Sequence, residues 1–331
     1  MSLVLIGGTG RSGTNITRKI LAFSQDIASP NFETRYTVDP YGILPFLKLV
    51  ESNSSPFSID EFLKKHFAFL KKLAHKNPVQ SAFNKMIKKI PGNQKELLLT
   101  GFSYAEWNLE GHFPGYAERL GEYIGHFEHD SYCASRPGYV PLSAKPKLNY
   151  VRNSMHNSTY SAASRFLGGN IKAAMQASNA SVYVDDNTYN LLYASIFSKI
   201  VPDTKFIHVR RHPMDVVASY VNQRWCPSSP ELAAVIISDL LDNIREQLTQ
   251  VPSAKCFTIS LEKLVEDSEY LVNQLCGFIN VDVEKNMKNV DLTRSNIGRY
   301  KRQFSRNQQM QLNEILAPHI ESFEKLRKSG F

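Results

Sequence analysis

The sequence has no run of about 18 or more apolar residues, so no membrane-spanning helix is expected. It also lacks a basic n-region: Met1-Ser2 leads straight into Leu3-Val4-Leu5-Ile6, and no signal peptide is expected. Cysteine is scarce, with four residues in 331 (Cys133, Cys226, Cys256, Cys276). None of their spacings is that of a metal site, and the thiols are expected to be reduced. Internal repeats and low-complexity segments are missing, which excludes solenoid and fibrous architectures. Lys and Arg outnumber Asp and Glu by 39 to 31, a formal charge of +8. The basic residues form no long tract; an anionic cofactor or substrate explains the excess as well as nucleic acid does, and no nucleic-acid partner is expected. An apolar fraction of 42% and a charged fraction of 21% are those of a globular chain. The length suits one large α/β domain or a core carrying a sizeable insertion.

What is present begins at the first residues. An apolar run of strand length, Leu3 to Ile6, feeds Gly7-Gly8-Thr9-Gly10-Arg11-Ser12-Gly13-Thr14-Asn15. Ile16, Ile20 and Leu21 follow at helical spacing. Strand, glycine loop and helix make an anion site, because the first amides of a helix have no partner within it and sit at its positive end. Gly8 and Gly13 have the spacing of the triphosphate loop G-x-x-x-x-G-K-[ST], but Thr14 stands in the lysine position and the basic residue is Arg11. A smaller doubly anionic group fits such a loop better than a triphosphate. Gly8, Gly10 and Gly13 also spell the dinucleotide pattern G-x-G-x-x-G, but no acidic residue ends a well-formed second strand about 20 residues on.

Phe32-Glu33-Thr34-Arg35-Tyr36 reads as a short extended segment after Ser29-Pro30. Residues 40–180 are mostly helical in pattern: Ile59 to Leu73, Ala82 to Ile90 before the stop signal Pro91-Gly92, and part of Leu97 to Tyr123. Their aromatics (Phe102, Tyr104, Trp107, Phe113, Tyr116, Tyr123) line a pocket or form a core, with core the better expectation, and Gly138 to Lys147 is a proline-punctuated loop. His112, His126 and His129 lack an H-E-x-x-H frame, so no metal is expected there. From residue 181 strands and helices alternate: Ser181 to Val184, Tyr189 to Ile200, Lys205 to Val209, Met214 to Val221, Leu232 to Val251, Lys255 to Ser260 and a last helix from Asn307 to Leu326. That alternation predicts a mainly parallel sheet covered on both faces. Arg11, Asp185, Arg211 and Glu262 all follow strands, where ligands of such sheets bind. Before the last helix lies the basic stretch Arg294-Ser295-Asn296-Ile297-Gly298-Arg299-Tyr300-Lys301-Arg302, either a solvated loop or a clamp on an anion.

Two separated motifs resemble one family. Gly10-Arg11-Ser12-Gly13-Thr14 is similar to the 5′-phosphosulfate loop of sulfotransferases. Phe206 to Tyr220 resembles their 3′-phosphate motif, with Arg211 before His212-Pro213 and Ser219 eight residues on. The resemblance implies an α/β, P-loop-like three-layer fold with a mainly parallel sheet and a helical acceptor-binding insertion, residues 40–180, within a single domain of residues 1–331. It implies 3′-phosphoadenosine 5′-phosphosulfate as donor, 3′,5′-ADP as product and no metal. Gly10, Arg11, Ser12, Gly13, Thr14 and Asn15 are then expected at the 5′ end of the donor, and Arg211 and Ser219 at its 3′-phosphate. The tail is similar to the family's closing loop, with Tyr300 in place of tryptophan, and would bring Gly298, Arg299 and Lys301 over the nucleotide.

Phe32-Glu33-Thr34-Arg35 resembles the Glu-Thr-Arg segment of tyrosylprotein sulfotransferases and bacterial relatives, which makes Glu33 the expected base and Arg35 its orienting or transition-state partner. His126 and His129 stand behind Glu33 as further candidates. Two positions depart from the family: Asp185-Asp186-Asn187-Thr188 replaces a loop that carries a lysine in many relatives, and Leu261 replaces the tyrosine before Glu262. The tyrosylprotein enzymes carry a membrane anchor that this chain lacks, so a cytoplasmic, bacterial-type enzyme acting on a small-molecule acceptor is expected. The alternative is a P-loop small-molecule kinase using ATP, with Asp185 as the strand-end acid for magnesium; Thr14 in the lysine position speaks against it.

Overall fold

The structure is a computed structural model that describes residues 2–52, 54–87, 104, 107–128, 131–135, 147–151, 156–284, 290–292 and 296–331. Pro91, Gly92, Phe102, Glu106, His129, Asp130, the loop 138–146 and residues 294–295 lie outside them. In chain order the described strands are β1 (Ser2–Gly7), β2 (Ile27–Ala28), β3 (Tyr132–Cys133), β4 (Lys147–Leu148), β5 (Val182–Asp185), β6 (Lys205–Arg210) and β7 (Cys256–Ser260). The helices are α1 (Thr14–Leu21), α2 (Ile43–Glu51), α3 (Pro56–Ala74), α4 (Pro78–Ile87), α5 (Leu109–His112), α6 (Tyr116–Glu128), α7 (His156–Ala177), α8 (Ala194–Ile200), α9 (Pro213–Tyr220), α10 (Pro230–Thr249), α11 (Leu261–Glu266), α12 (Ser268–Ile279), α13 (Arg299–Gln303) and α14 (Arg306–Lys328). The chain divides into two units, one of residues 1–33 with 178–331 and one of residues 34–177.

The first unit holds a five-stranded sheet in the order β2-β5-β1-β6-β7, parallel at every described pairing. Its strands are apolar on both faces, as a sheet covered twice requires. Val4, Ile6, Val182, Val184, Ile207, Val209 and Ile259 point to one face and pack with Ile20 and Leu21 of α1, Leu261 and Leu264 of α11, and Leu271 and Leu275 of α12. The alternate residues Leu3, Leu5, Tyr183 and Phe206 are buried on the other face. There a 3-10 turn, Asn190–Tyr193, packs on β1 and α10 packs on that turn. The result is the α/β, three-layer arrangement with a P-loop-like first βα unit.

β1 lies at the centre, with β5 on one side and β6 on the other. The glycine loop therefore leaves the middle of the sheet's carboxyl edge, beside the ends of β5 and β6. β2 differs from expectation. The sheet takes up Ile27–Ala28, whereas residues 32–36 form no strand.

The second unit is mostly helical, with a small antiparallel pair, β3-β4. Its core is aromatic. Tyr36, Phe46, Phe113, Tyr116, Tyr123, Phe127 and Phe166 are buried, and Tyr36 packs edge-on against Tyr116 at 6.1 Å between ring centroids. Among the expected aromatics, Phe113, Tyr116 and Tyr123 are thus core. His66 is fully enclosed there, with Nδ1 2.7 Å from the Tyr41 carbonyl and Nε2 3.1 Å from the Tyr123 hydroxyl. Burial pulls its pKa down to about 4, so the ring is neutral at pH 7.

Candidate functional site

At the end of β1 the loop reaches α1 through Gly13, whose φ of 108° is outside the range of ordinary side chains. A Cβ there would lie 2.9 Å from Leu261 Cδ1, so glycine also allows α11 to pack against the loop. α1 has no side-chain cap and no acidic residue in its first turn. Its amino end is thereby left to an outside anion. Ser12, 1% exposed, has a buried hydroxyl with no hydrogen-bond partner among the described residues. An unpaired buried hydroxyl costs about 1–3 kcal/mol, and an anionic oxygen accepting from it would remove that cost. The Gly8 amide donates to the Thr188 carbonyl at 3.2 Å, joining the loop to the segment after β5.

α9 lies against this loop and is buried along its whole length. Pro213 opens it, where a missing amide costs nothing. At its far end the Tyr220 hydroxyl donates to the Thr9 carbonyl, and Arg11 Nε donates to Ser219 Oγ at 2.9 Å. Before its first turn stands Arg211, 8% exposed. The Arg211 guanidinium donates to the Arg11 carbonyl at 3.2 Å and to the Asn296 carbonyl at 2.6 Å, while its buried Nε has no partner among the described residues. Burial lowers its pKa; Asp215 and Glu262 support its charge, and Arg11 and Arg299 oppose it. Glu262 accepts from the His212 amide at 2.9 Å, and burial pushes its carboxyl upward.

The tail docks on the same end of α9. Asp215, 0% exposed, accepts from the Gly298 amide at 2.6 Å and the Tyr300 amide at 3.0 Å, and lies 3.8 Å from the Arg211 guanidinium. The Tyr300 ring stacks on His212, with centroids 4.9 Å apart and planes 7° from parallel. Phe304 is buried with Met214, Leu312 and Leu316. Arg299 donates to Gln303 at 2.8 Å on its own helix, and Lys301 is exposed.

Of the residues expected from sequence, Arg11 therefore meets Ser219 at one end of α9 and Arg211 at the other, Ser12 and Gly13 continue its loop, and Gly298 docks at the Arg211 end. Gly10 belongs to the same loop, Thr14 opens α1, and Asn15 Nδ2 donates to Asp186 at 3.4 Å. Glu33 closes the first unit, with one carboxylate oxygen buried. The segment leading to it is held by Arg18, which donates to the Pro30 carbonyl at 2.8 Å and pairs with Asp186 at 3.2 Å. Both partners of that pair are buried, and burial raises the Asp186 carboxyl. Arg35 belongs to the helical unit, with a φ of 65° and a 3.3 Å bond to Asp39. Asp185, 4% exposed, accepts from Asn190 Nδ2 at 3.0 Å. His112 and His126 are half-buried on α5 and α6. Among the described residues no group of three or more His, Cys, Asp or Glu has the arrangement of a metal site, and no helix is long and apolar enough to cross a membrane.

Sequence reasoning missed Arg18 and Asp215. Helical spacing of charge is the only signal either one gives, and it does not distinguish a buried anchor from a surface residue. It also missed Trp225, 58% exposed, which packs edge-on against Tyr220.

A profile described as the sulfotransferase family matches residues 4–285. No curated protein sequence matches. Three solved structures are similar at low identity. A sulfotransferase domain from the curacin biosynthetic pathway is 15% identical, with 88% of this chain and 78% of that one covered and a TM-score of 0.43. The sulfotransferase domain of the Synechococcus PCC 7002 olefin synthase is 15% identical, covering 95% and 87%, with a TM-score of 0.41. A sulfotransferase of Mycobacterium tuberculosis H37Rv is 12% identical, covering 96% and 76%, with a TM-score of 0.43.

Proposed function

Because the chain belongs to the sulfotransferase family, we propose that it moves a sulfuryl group from 3′-phosphoadenosine 5′-phosphosulfate to a hydroxyl or amine of a small-molecule acceptor in the cytoplasm. The observation that carries the donor assignment is Arg211. Its buried guanidinium bonds to both the glycine loop and the tail, has an unpartnered Nε, and lies in the field of Arg11 and Arg299. Such a cluster of cations, with the orphaned Ser12 hydroxyl and the uncapped α1, fits a ligand with two separate anionic groups. When bound, the donor supplies the sulfuryl group and leaves as 3′,5′-ADP.

The chain's own residues do the rest. Arg11 and the amides of Ser12 to Asn15 hold the 5′ end and offset the charge that develops on the leaving oxygen. Arg211 and Ser219 hold the 3′-phosphate, and Arg11, bonded to Ser219, links the two assignments. Gly298, Arg299 and Lys301 cover the nucleotide. Glu33 takes the proton of the acceptor hydroxyl or amine, Arg35 orients it, and residues 40–180 select the acceptor.

Thermal melting with nucleotides tests the donor assignment. A ligand that binds only the folded chain raises its melting temperature, by about 2.7 kcal/mol of stability at one hundred times its dissociation constant. 3′,5′-ADP is expected to raise it and Mg·ATP to leave it unchanged. The reverse outcome overturns the donor and favours the kinase.

A further inference from the structure

Asp215 has no expected contact with donor or acceptor, yet it is fully buried in the first turn of α9, one turn after Arg211. A buried carboxylate is retained at a cost unless its lone pairs are filled. Here they are filled by the tail: one oxygen takes the Gly298 amide at 2.6 Å and the other the Tyr300 amide at 3.0 Å. Gly298, with a φ of 73°, supplies the left-handed turn that brings both amides to the same carboxylate. Two residues earlier, the Asn296 carbonyl takes the Arg211 guanidinium. The Tyr300 ring then rests on His212, between Arg211 and the helix.

We propose that Asp215 is a positioning residue: it latches the tail segment 296–300 to the amino end of α9 and thereby fixes Arg211 for selection of the 3′-phosphate. This rests on the donor reading above. The two carboxylate oxygens hold the loop, the loop carbonyl holds one arm of Arg211, and the Arg11 carbonyl holds another. Arg211 then presents its remaining donors in one orientation, and its buried Nε is unfilled. Without the latch the loop carbonyl is free to leave, and the guanidinium loses an orienting contact.

The sign of the effect separates this role from plain electrostatics. A carboxylate 3.8 Å from Arg211 repels a nearby phosphate. If that repulsion were its main influence, removing the charge would tighten binding of a 3′-phosphate. A latch predicts the opposite.

The experiment compares 3′,5′-ADP with 5′-AMP by calorimetry on the full chain, for wild type, Asp215→Asn and Asp215→Glu. Asparagine keeps the shape but offers one acceptor in place of two. Charge-assisted hydrogen bonds of this kind lead us to expect about a tenfold loss of 3′,5′-ADP affinity in Asp215→Asn. Binding of 5′-AMP should change by less than about twofold, and Asp215→Glu should recover part of the loss. Equal losses for both nucleotides, or tighter 3′,5′-ADP binding, overturn the proposal.

Amide hydrogen exchange on the wild-type chain needs no variant to fold. The Gly298 and Tyr300 amides are expected to be protected before any nucleotide is added, and exchange at the rate of an open loop overturns the latch. If wild type binds 3′,5′-ADP no better than 5′-AMP, the donor reading has failed. The role in 3′-phosphate selection then falls with it, and the exchange rates decide the anchoring alone.

Discussion

Glu33 is the residue on which the proposed chemistry turns. As the proposed base it must accept a proton from the acceptor as the new bond forms, and general-base contributions amount to roughly 10²–10⁴-fold in rate. Glu33→Gln keeps the size and the hydrogen-bonding shape but cannot take the proton. We expect kcat to fall at least ~100-fold on that scale, with 3′,5′-ADP affinity unchanged, because no donor-holding role is assigned to this side chain. Single-turnover sulfation with labelled donor measures the first quantity and calorimetry the second. Wild-type turnover in Glu33→Gln would remove Glu33 from the mechanism and make His126, half-buried on α6, the next base to test. The backbone that leads to Glu33 is anchored, since Arg18 ties the Pro30 carbonyl to α1 and to Asp186. That tether could not be read from the sequence. Arg18 and Asp186 are 168 positions apart, and only the parallel pairing of β1 with β5 brings their segments together.

At the scale of elements, the unit β1, glycine loop and α1 makes a sharper test than any point charge. Gly13 combines a φ of 108° with Leu261 Cδ1 2.9 Å from where a Cβ would stand. Gly13→Ala must therefore strain or open the turn and push the Leu261 side chain aside. A forced backbone of this kind costs on the order of 1–3 kcal/mol. The melting temperature should fall and 3′,5′-ADP binding should weaken with it. An alanine variant that melts and binds like wild type would show that the loop amides are not held as described. This unit, and the pair β6 with α9, were legible in the sequence because each joins a continuous apolar strand to a punctuated turn, glycine in one and proline in the other. Two elements without such punctuation escaped the sequence reading. α7 runs 22 residues, and its buried face mixes Phe166, Leu167 and Ile171 with Thr159, Ala162, Ala163, Asn170 and Ala174, so small and polar residues dilute the hydrophobic stripe. β2 is only two residues long, set by pairing with β5 and not by any propensity of Ile27 and Ala28. The tail was read as basic, which it is, but its docking depends on Asp215, 83 positions from Gly298. Local patterns carry no information about such a contact.

For the whole molecule, one enclosed histidine, His66, and two partly buried ones, His112 and His208, shape the response to acid. His66 and His112 in the helical unit have pKa values pulled down to about 4 by burial, and His208 on β6 has one pulled down to about 3. In the unfolded chain each returns to about 6.5. Between those values the unfolded chain binds protons that the folded chain refuses, so stability rises with pH across that window. It is complete above about 6.5 and is lost progressively as the pH falls toward 4. For His66 alone the loss at the bottom of the window is on the order of 3 kcal/mol, a large share of a typical folding free energy. Asp186 and Glu262 act in the opposite sense, because burial raises their pKa values and the folded chain takes their protons first. Melting temperatures measured from pH 7.5 down to 4.5 should therefore fall steadily once the pH passes about 6.5, in both units. The His66 ring proton resonance should show no titration above about pH 5. A melting temperature flat from pH 7 to 5, or a His66 resonance titrating near 6.5, would mean that its bonds to Tyr41 and Tyr123 do not enclose it.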